Sequence, residues 1–493
     1  MIFNSLSFLI FFIVVTFLYY VVSFRWRWSL LLIASCIFYM AFIPQYILIL
    51  AALITIDYFT GIGLEKITEK KRKYLLILSI ISNLGILFSF KYFNFFQTNI
   101  ATISHFIHWN YSPRLLELLL PIGLSFHTFQ SLSYVIEVYK KKYKAEHHFG
   151  LYALYVMFYP QLVAGPIERP QELLAQLHKN HPFNELNISE GLRRMLFGLF
   201  KKIIIADRLS ILVTQVYGHP HEYIGFPLLL ATVSFAFQVY CDFSGYCDIA
   251  IGASKVMGFT LRENFNAPYL ATSITDFWRR WHMSLYSWFR DYLYIPLGGN
   301  RKGIFTQMRN IGIVFLTTGL WHGANWTYIF WGAIHGIYMI ASLIVSTYIK
   351  PLVNMSLSPP VKFMMKLFGS SFTFALVCFA WIFFRASTIA DGIYIATHLS
   401  IGLGTLVRYV VAGKIDLFMA IAFLQNGGVG LTLPQIGIAA VAILFMAYIE
   451  YIERTITFIR LSVWNRWIIY MLLALVVLNL GTIEQVPFIY FQF

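Results

Sequence analysis

Long, unbroken apolar stretches are the sequence feature that most limits how this chain can fold. In the N-terminal third they cover residues 29–44, 46–63, 74–96 and 115–138, after an apolar start. A helix needs about 20 apolar residues to cross a bilayer. In lipid, only helices and closed barrels satisfy their backbone groups, and barrel strands are short with alternating polar residues. The pattern therefore predicts an all-α, polytopic helical membrane protein.

Composition and length agree with this class. The 493 residues are 59% hydrophobic and only 12% charged, whereas a typical soluble domain has about 25% charged residues. Further apolar stretches lie near residues 307–321, 326–348, 367–384, 433–453 and 466–482. The chain therefore has room for roughly 10–12 transmembrane helices, together with re-entrant or interfacial helices.

The charge of the chain is strongly positive, at +15. Lys and Arg collect in the cytoplasmic loops of membrane proteins, which explains the excess without a nucleic-acid partner. The basic clusters at 25–27, 66–73 and 140–144 all lie in the cytoplasm if the N-terminus is outside. This arrangement predicts the orientation of the chain.

Segment 189–216 has an amphipathic pattern. Ser189 is a plausible N-cap, and Arg194, Lys201 and Arg208 recur every seven residues, so they share one face of a helix. We interpret the segment as an interfacial helix whose basic side chains reach the membrane surface.

Ionisable side chains in apolar sequence are concentrated between residues 238 and 335, and such groups are costly in a membrane. Three histidines there have apolar neighbours: His282, His322 and His335. Burial disfavours the charged ring, which suits a base that takes a proton near neutral pH. For any one of them, spacing alone favours the alternative of a core histidine bound to a backbone carbonyl.

Several other chemistries lack their sequence motifs. His322 and His335 would face different sides of one helix, and the cluster has no HExxH, so no metal site is predicted. The sequence also lacks the GxxxxGK[ST] phosphate loop, a DxD pair and the GxSxG nucleophile motif. What remains is base-assisted transfer, in which the substrates supply the nucleophile and the leaving group.

Several ordered sequence blocks carry a family likeness, and the chain resembles the membrane-bound O-acyltransferases, in particular the bacterial alginate O-acetyltransferase type. The blocks are LPIGLSFHTFQSLSYVIEVY (120–139), FYPQLVAGPIERP (158–170), CDFSGYCDIAIG (241–252), NFNAPY (264–269), FWRRWHMSLYSWFRDYLYIPLGGNR (277–301), WHGANW (321–326) and WIFFRA (381–386). The resemblance implies one integral-membrane acyltransferase domain, with N-terminal spans in 1–145, a catalytic core in 146–345 and C-terminal spans in 346–493.

The resemblance also implies roles for the histidines. The essential histidine of the family corresponds to His322, and its second polar position corresponds to His282. An acyl thioester is already activated, so the enzyme must deprotonate a hydroxyl and stabilise an oxyanion. We expect His322 to be the general base, and His282, Asn325 or a Trp N–H to donate to the oxyanion.

The substrates and partners follow from the same resemblance. The implied donor is cytoplasmic acetyl-coenzyme A, used as a substrate with no bound cofactor. The implied acceptor is an exported polysaccharide, reached with a separate extracytoplasmic esterase-like transferase. The enzyme is expected to be embedded in the lipid bilayer of a bacterial cytoplasmic membrane.

Further polar residues are candidates for substrate contacts. Those that would line a funnel to the histidines are Asp242, Ser244, Asp248, Trp321 and Asn325. Hydrogen bonding between helices explains the first three equally well. Candidates to hold donor phosphates are Gly298, Gly299, Arg301 and Lys302. For that run, an ordinary basic cytoplasmic loop is the preferred interpretation.

The C-terminal sequence VPFIYFQF is apolar to its last residue. It is similar to the aromatic motif of acyltransferase partners in teichoic-acid D-alanylation, so Tyr490 is either an acyl relay or part of an interfacial aromatic anchor. Two other functions stay open. One is D-alanyl transfer from a carrier protein towards teichoic acid, and the other is a transporter or flippase with histidines that relay protons. The lack of an internal repeat counts against transport.

Overall fold

Helices are the only regular secondary structure in the described part of the chain. The structure is a computed structural model that describes residues 1–349, 358–402, 404, 428–455, 463–481 and 488–489. Within these ranges there is no β-strand, which confirms the predicted all-α class. The chain divides into two compact units, one of residues 1–195 and 246–263 and the other of residues 196–245 and 264–493.

Six of the described helical segments are long and apolar enough to cross a membrane. They are Pro44–Lys66, Glu69–Phe106, Phe226–Val256, Trp326–Tyr348, Pro359–Arg385 and Leu433–Tyr451. Two shorter apolar helices are Leu6–Val21 and Arg466–Leu480. The chain is therefore a multi-pass membrane protein, as predicted, and the larger number of roughly 10–12 spans stays a prediction.

The first unit contains a buried carboxylate, that of Asp57. Its helices include Leu6–Val21, Phe24–Met40, Ile47–Lys66, Glu69–Leu87, Phe93–Phe106, Leu124–Tyr139 and Phe149–Met157. Asp57 accepts hydrogen bonds from the Ser79 hydroxyl (2.6 Å) and from the Asn83 amide (2.9 Å). Because a buried charge without partners is costly, these two donors explain how a carboxyl group is tolerated in an apolar helix.

The second unit contains all three candidate histidines. Its helices include Asp207–Gly218, Ile274–Trp278, Met283–Phe289, Ile304–His322, Trp326–Ile344, Pro359–Arg385, Ile389–His398, Leu433–Thr455 and Val463–Leu480. The helix Ile304–His322, called the His322 helix below, packs against Trp326–Ile344. A Cβ atom at Gly319 would collide with the Tyr328 carbonyl oxygen, and one at Gly332 with that of Phe315. Glycine is therefore required at both positions for this close helix contact.

The prediction that Lys201 and Arg208 of segment 189–216 reach a membrane surface is wrong. The helix Glu185–Leu199 begins before Ser189, and a π-helical turn, Phe200–Ala206, follows it. Lys201 is buried and pairs with Glu450 at 3.0 Å, and Arg208 is buried as well. These cations are held by carboxylates and backbone oxygens inside the protein, so they do not extend to a membrane surface.

Candidate active site

His322 is the last residue of the His322 helix. Gly323 follows the end of that helix. Asn325 is the N-cap of the next helix, and its side-chain oxygen accepts the Thr327 backbone N–H at 3.0 Å. The carbonyl end of a helix carries partial negative charge. That charge stabilises the imidazolium formed when a histidine at this position accepts a proton, which suits a general base.

The surroundings of His322 are aromatic and dry. The residue is 4% exposed, and its ring centroid lies 5.1 Å from that of Trp331 and 5.3 Å from that of Phe384. Electrostatic interactions are stronger where water is excluded. The sequence analysis missed this cage, although Phe384 lies in the WIFFRA block and Trp331 one short stretch after WHGANW.

His282 has an unusual backbone conformation. Its φ of 44° and ψ of 52° lie in the left-handed region, which is uncommon outside glycine. The turn is held by Asn264, whose backbone oxygen accepts the Met283 N–H (2.9 Å) and whose side chain accepts the Ser284 N–H (3.1 Å). Strained conformations of this kind cluster at functional sites.

His282 is 1% exposed, and burial lowers its pKa to about 3. Its ring is therefore neutral at physiological pH and carries one N–H. The ring centroid lies 4.7 Å from that of Phe243 and 6.2 Å from that of Trp321. Because Trp321 is also 5.0 Å from His322, the structure brings the two predicted histidines together around one indole.

His335 occupies a different position. It is fully buried, and the Trp278 indole N–H points to its Nδ1 atom at 3.3 Å. Nδ1 therefore acts as an acceptor, and the ring proton is placed on Nε2. The contact is the one expected of a structural core histidine.

A buried charge cluster contains one of the candidate funnel residues, Asp242. The Lys202 ammonium lies 2.8 Å from Asp207 Oδ1 and 2.8 Å from Asp242 Oδ1. The other oxygen of Asp242 accepts the Ile489 backbone N–H at 2.7 Å. Burial favours the neutral amine, but the two carboxylates outweigh it and raise the pKa of Lys202. Sequence reasoning did not identify Lys202, Asp207 or Ile489 as part of a cluster.

Asp248, on the same helix as Asp242, belongs to the first unit. Its Oδ1 lies 3.0 Å from Arg194 Nε, and Arg194 also binds Glu263. Ser244 is buried. The Asp248 contact fits the alternative of bonding between helices, and a funnel-lining role for these residues stays a prediction.

The predicted phosphate-binding run forms a turn before the His322 helix. Gly298 and Gly299 have φ values of 107° and 57°, and Asn310 donates to the Gly299 carbonyl at 3.0 Å. Arg301 and Lys302 are exposed. Their binding role stays a prediction.

A cavity of about 650 Å³ lies in the second unit beside the His322 helix. Its walls combine charged and polar side chains with apolar and aromatic ones, among them Trp278, Arg279, Arg290, Phe315 and Thr318. Thr318 is one turn before His322. Arg279 and Arg290 were not among the predicted binding residues, although both lie in the block at 277–301.

The C-terminal segment is described at two positions only. Phe488 and Ile489 are both buried, and Phe488 lies 5.8 Å from Phe243, measured between ring centroids. Tyr490 lies outside the described residues, so its predicted role stays a prediction.

The fold is helical and multi-pass, and it holds two buried histidines around one indole. Residues 145–384 match the family model described as MBOAT, membrane-bound O-acyltransferase family. Together with the relatives below, this match shows that the chain belongs to that family and is a membrane-bound O-acyltransferase.

Three relatives illustrate the range of the family. The chain is 39% identical to "Probable alginate O-acetylase AlgI" of Pseudomonas aeruginosa, over 79% of this chain and 73% of the relative. It is 36% identical to "Peptidoglycan O-acetyltransferase" of Helicobacter pylori, over 74% of this chain and 72% of the relative. It is 30% identical to "Teichoic acid D-alanyltransferase" of Bacillus subtilis, over 44% of this chain and 58% of the relative.

Proposed function

We propose that this protein transfers an acetyl group from a cytoplasmic thioester to a hydroxyl group for O-acetylation of an exported polysaccharide, with His322 as the general base. The observation that carries the proposal is the position of His322, buried at a helix C-terminus and next to the indole that it shares with His282.

The reaction needs one base and one oxyanion donor. His322 takes the proton of the acceptor hydroxyl, the hydroxyl oxygen attacks the thioester carbonyl carbon, and a tetrahedral oxyanion forms. The C–S bond then breaks, and the imidazolium of His322 returns its proton to the leaving thiolate. Of the expected donors, the neutral ring of His282 suits the oxyanion better than Asn325, whose side-chain NH2 group donates to the Ser387 carbonyl at 3.4 Å.

The donor is proposed to be acetyl-coenzyme A. A phosphate-rich donor needs cations near the mouth of its site, and Arg279 and Arg290 supply two of them in the cavity beside the His322 helix. The apolar walls suit the acyl chain and its thioester. Arg301 and Lys302 are kept as further phosphate contacts.

The acceptor is proposed to be a cell-surface polysaccharide. This choice is supported by relatives whose names specify alginate and peptidoglycan O-acetylation. We propose that the protein lies in a bacterial cytoplasmic membrane with its N-terminus outside. A separate extracytoplasmic esterase-like protein would complete the transfer.

A second candidate is D-alanyl transfer from a carrier protein. It is favoured by the similarity to a teichoic acid D-alanyltransferase, which covers a smaller part of this chain. In either case Tyr490 is proposed to accept the acyl group as a phenyl ester and to pass it on outside, because a phenol is both a fair nucleophile and a good leaving group.

The test uses purified protein in detergent with radiolabelled acetyl-coenzyme A. Wild type is compared with His322→Ala and Tyr490→Phe, and His335→Gln serves as a matched control that removes another buried histidine. We expect donor turnover in wild type and in the control but not in His322→Ala. Label on the protein that is lost in Tyr490→Phe supports the relay. Turnover that persists in His322→Ala refutes the proposed base.

If wild type turns over a D-alanyl carrier protein but not acetyl-coenzyme A, the acetyl donor is wrong and the second candidate replaces it.

A further inference from the structure

The C-terminal segment is held by a buried charge cluster that the reaction itself does not use. The cluster comprises Lys202, Asp207 and Asp242, and all three side chains are nearly inaccessible to solvent. A single ammonium group therefore faces two carboxylates. Buried charges are costly, so the arrangement calls for an explanation beyond stability alone.

The second carboxylate has a further partner. Asp207 would suffice to neutralise Lys202, because their separation is 2.8 Å. Asp242 uses its remaining oxygen to accept the backbone N–H of Ile489 at 2.7 Å, inside the protein. A hydrogen bond to a charged acceptor is about twice as strong as a neutral one. Asp242 thus connects the cluster to the end of the chain.

The segment held in this way packs towards the histidines. Phe488 contacts Phe243, whose ring lies 4.7 Å from His282. Asp242 and Phe243 are adjacent in sequence, so one helix turn holds the backbone of the C-terminal segment and also contacts the His282 ring. The contacts run without a break from Lys202 through Asp242 to Ile489, and from Phe488 through Phe243 to His282.

We infer that Asp242, oriented by Lys202 and Asp207, is a positioning residue that fastens the C-terminal segment at residues 488 and 489 beside His282. Phe488 and Ile489 are then a built-in part of the transfer site. The effect of this positioning on acyl transfer rests on the proposed function, in which Tyr490, the residue after Ile489, accepts the acyl group.

Two variants of Asp242 separate this role from general stability. Both Asp242→Asn and Asp242→Leu remove the charge and leave Lys202 with Asp207 as a neutral pair, so neither leaves an unpaired buried cation. The two substituted side chains are similar in size. They differ in the oxygen that accepts the Ile489 N–H, which asparagine keeps and leucine lacks. Tyr240 lies on the same helix as Asp242, and its hydroxyl donates to Glu450 at 2.6 Å. Tyr240→Phe removes this bond and is the matched control.

The first measurement is hydrogen–deuterium exchange of the C-terminal peptide in the full-length protein, which needs no assumption about the substrate. We expect exchange at the Ile489 amide to be about 10- to 100-fold faster in Asp242→Leu. Asp242→Asn is expected to stay within a few-fold of wild type, and Tyr240→Phe to match it. Equal exchange in Asp242→Leu and wild type would overturn the inference.

The second measurement compares donor hydrolysis with transfer to an acceptor glycan. We expect Asp242→Leu to retain hydrolysis of acetyl-coenzyme A and to lose transfer, with partial rescue in Asp242→Asn. Equal loss of both activities would show a merely structural role and overturn the positioning function. If wild type hydrolyses no acetyl-coenzyme A, the proposed donor fails while the exchange result still decides whether the C-terminal segment is fastened.

Discussion

The contact between the His322 helix and the helix Trp326–Ile344 makes a sharp prediction at Gly319. This glycine lies three residues before His322, and a Cβ atom there would collide with the carbonyl oxygen of Tyr328 and lie 3.2 Å from the Cα of Ile329. Both neighbours are backbone atoms, so no side-chain rotation relieves the collision. We therefore expect Gly319→Ala to push the two helices apart.

The size of the effect follows from the geometry. A carbon atom normally stays about 3.3–3.6 Å from a carbonyl oxygen, so the helices must separate by roughly 1 Å at this point. Overpacking of this kind costs about 1–3 kcal/mol of stability. A misplacement of about 1 Å at a catalytic group can cost about 100-fold in rate. We expect Gly319→Ala to lose activity while it remains folded.

The assay compares hydrolysis of acetyl-coenzyme A and thermal unfolding in detergent for Gly319→Ala and Gly312→Ala. Gly312 is on the same helix, but a Cβ atom there meets no other atom within 4 Å. We expect Gly312→Ala to be neutral or stabilised by up to about 1 kcal/mol, because alanine favours helix formation. Wild-type turnover in Gly319→Ala would refute the claim that backbone contact between these helices positions His322.

Three further predictions concern buried polar groups. Lys202→Met leaves two carboxylates buried without their cation, and should lower the free energy of unfolding by about 3–5 kcal/mol. Glu168 accepts the Arg262 backbone N–H (2.7 Å), and burial raises its pKa from 4.5 to about 8. Its contribution to stability is complete below pH 4.5 and is lost as the pH rises through 8, so Glu168→Gln should flatten the decline in melting temperature over this range. His335→Leu removes the acceptor of the Trp278 N–H, and should cost about 1–3 kcal/mol with donor turnover retained.

Each of these predictions has a contradicting outcome. Lys202→Met with wild-type stability would mean that the two carboxylates are neutral in the folded protein. If the melting temperature of Glu168→Gln declined with pH as it does in wild type, the pKa of this carboxyl group would be the same in the folded and unfolded protein. Loss of donor turnover in a folded His335→Leu protein would place His335 in the reaction.

Several helices were predicted well from the apolar runs. The stretch predicted at 326–348 corresponds to the helix Trp326–Ile344 and the π-turn that follows it. The stretch at 115–138 was predicted to span, but its helix begins only at Leu124, because Pro121 and the left-handed Gly123 precede it. The helix predicted at 367–384 begins earlier, at Pro359, since Lys362 and Lys366 interrupt the apolar run without ending the helix.

The site was predictable only in part. Chemistry and family likeness identified His322 and His282, which the structure places around Trp321. The aromatic cage required contacts between residues far apart in sequence. The pairing of Lys202 with Asp207 could not be predicted from the sequence for a different reason. Residues five apart do not face each other on an α-helix, but the π-helical turn Phe200–Ala206 brings them to the same side.

Different contacts position His322 and the residues near His282. The rings of Trp321, Trp331 and Phe384 surround His322 at the end of its helix, so packing and the helix backbone contribute to its position. The cluster of Lys202, Asp207 and Asp242 instead holds the backbone of Ile489. Substitutions at the contact between the His322 helix and the helix Trp326–Ile344 should therefore impair a different step from substitutions in the charge cluster. The first would reduce donor turnover, whereas the second would reduce onward transfer.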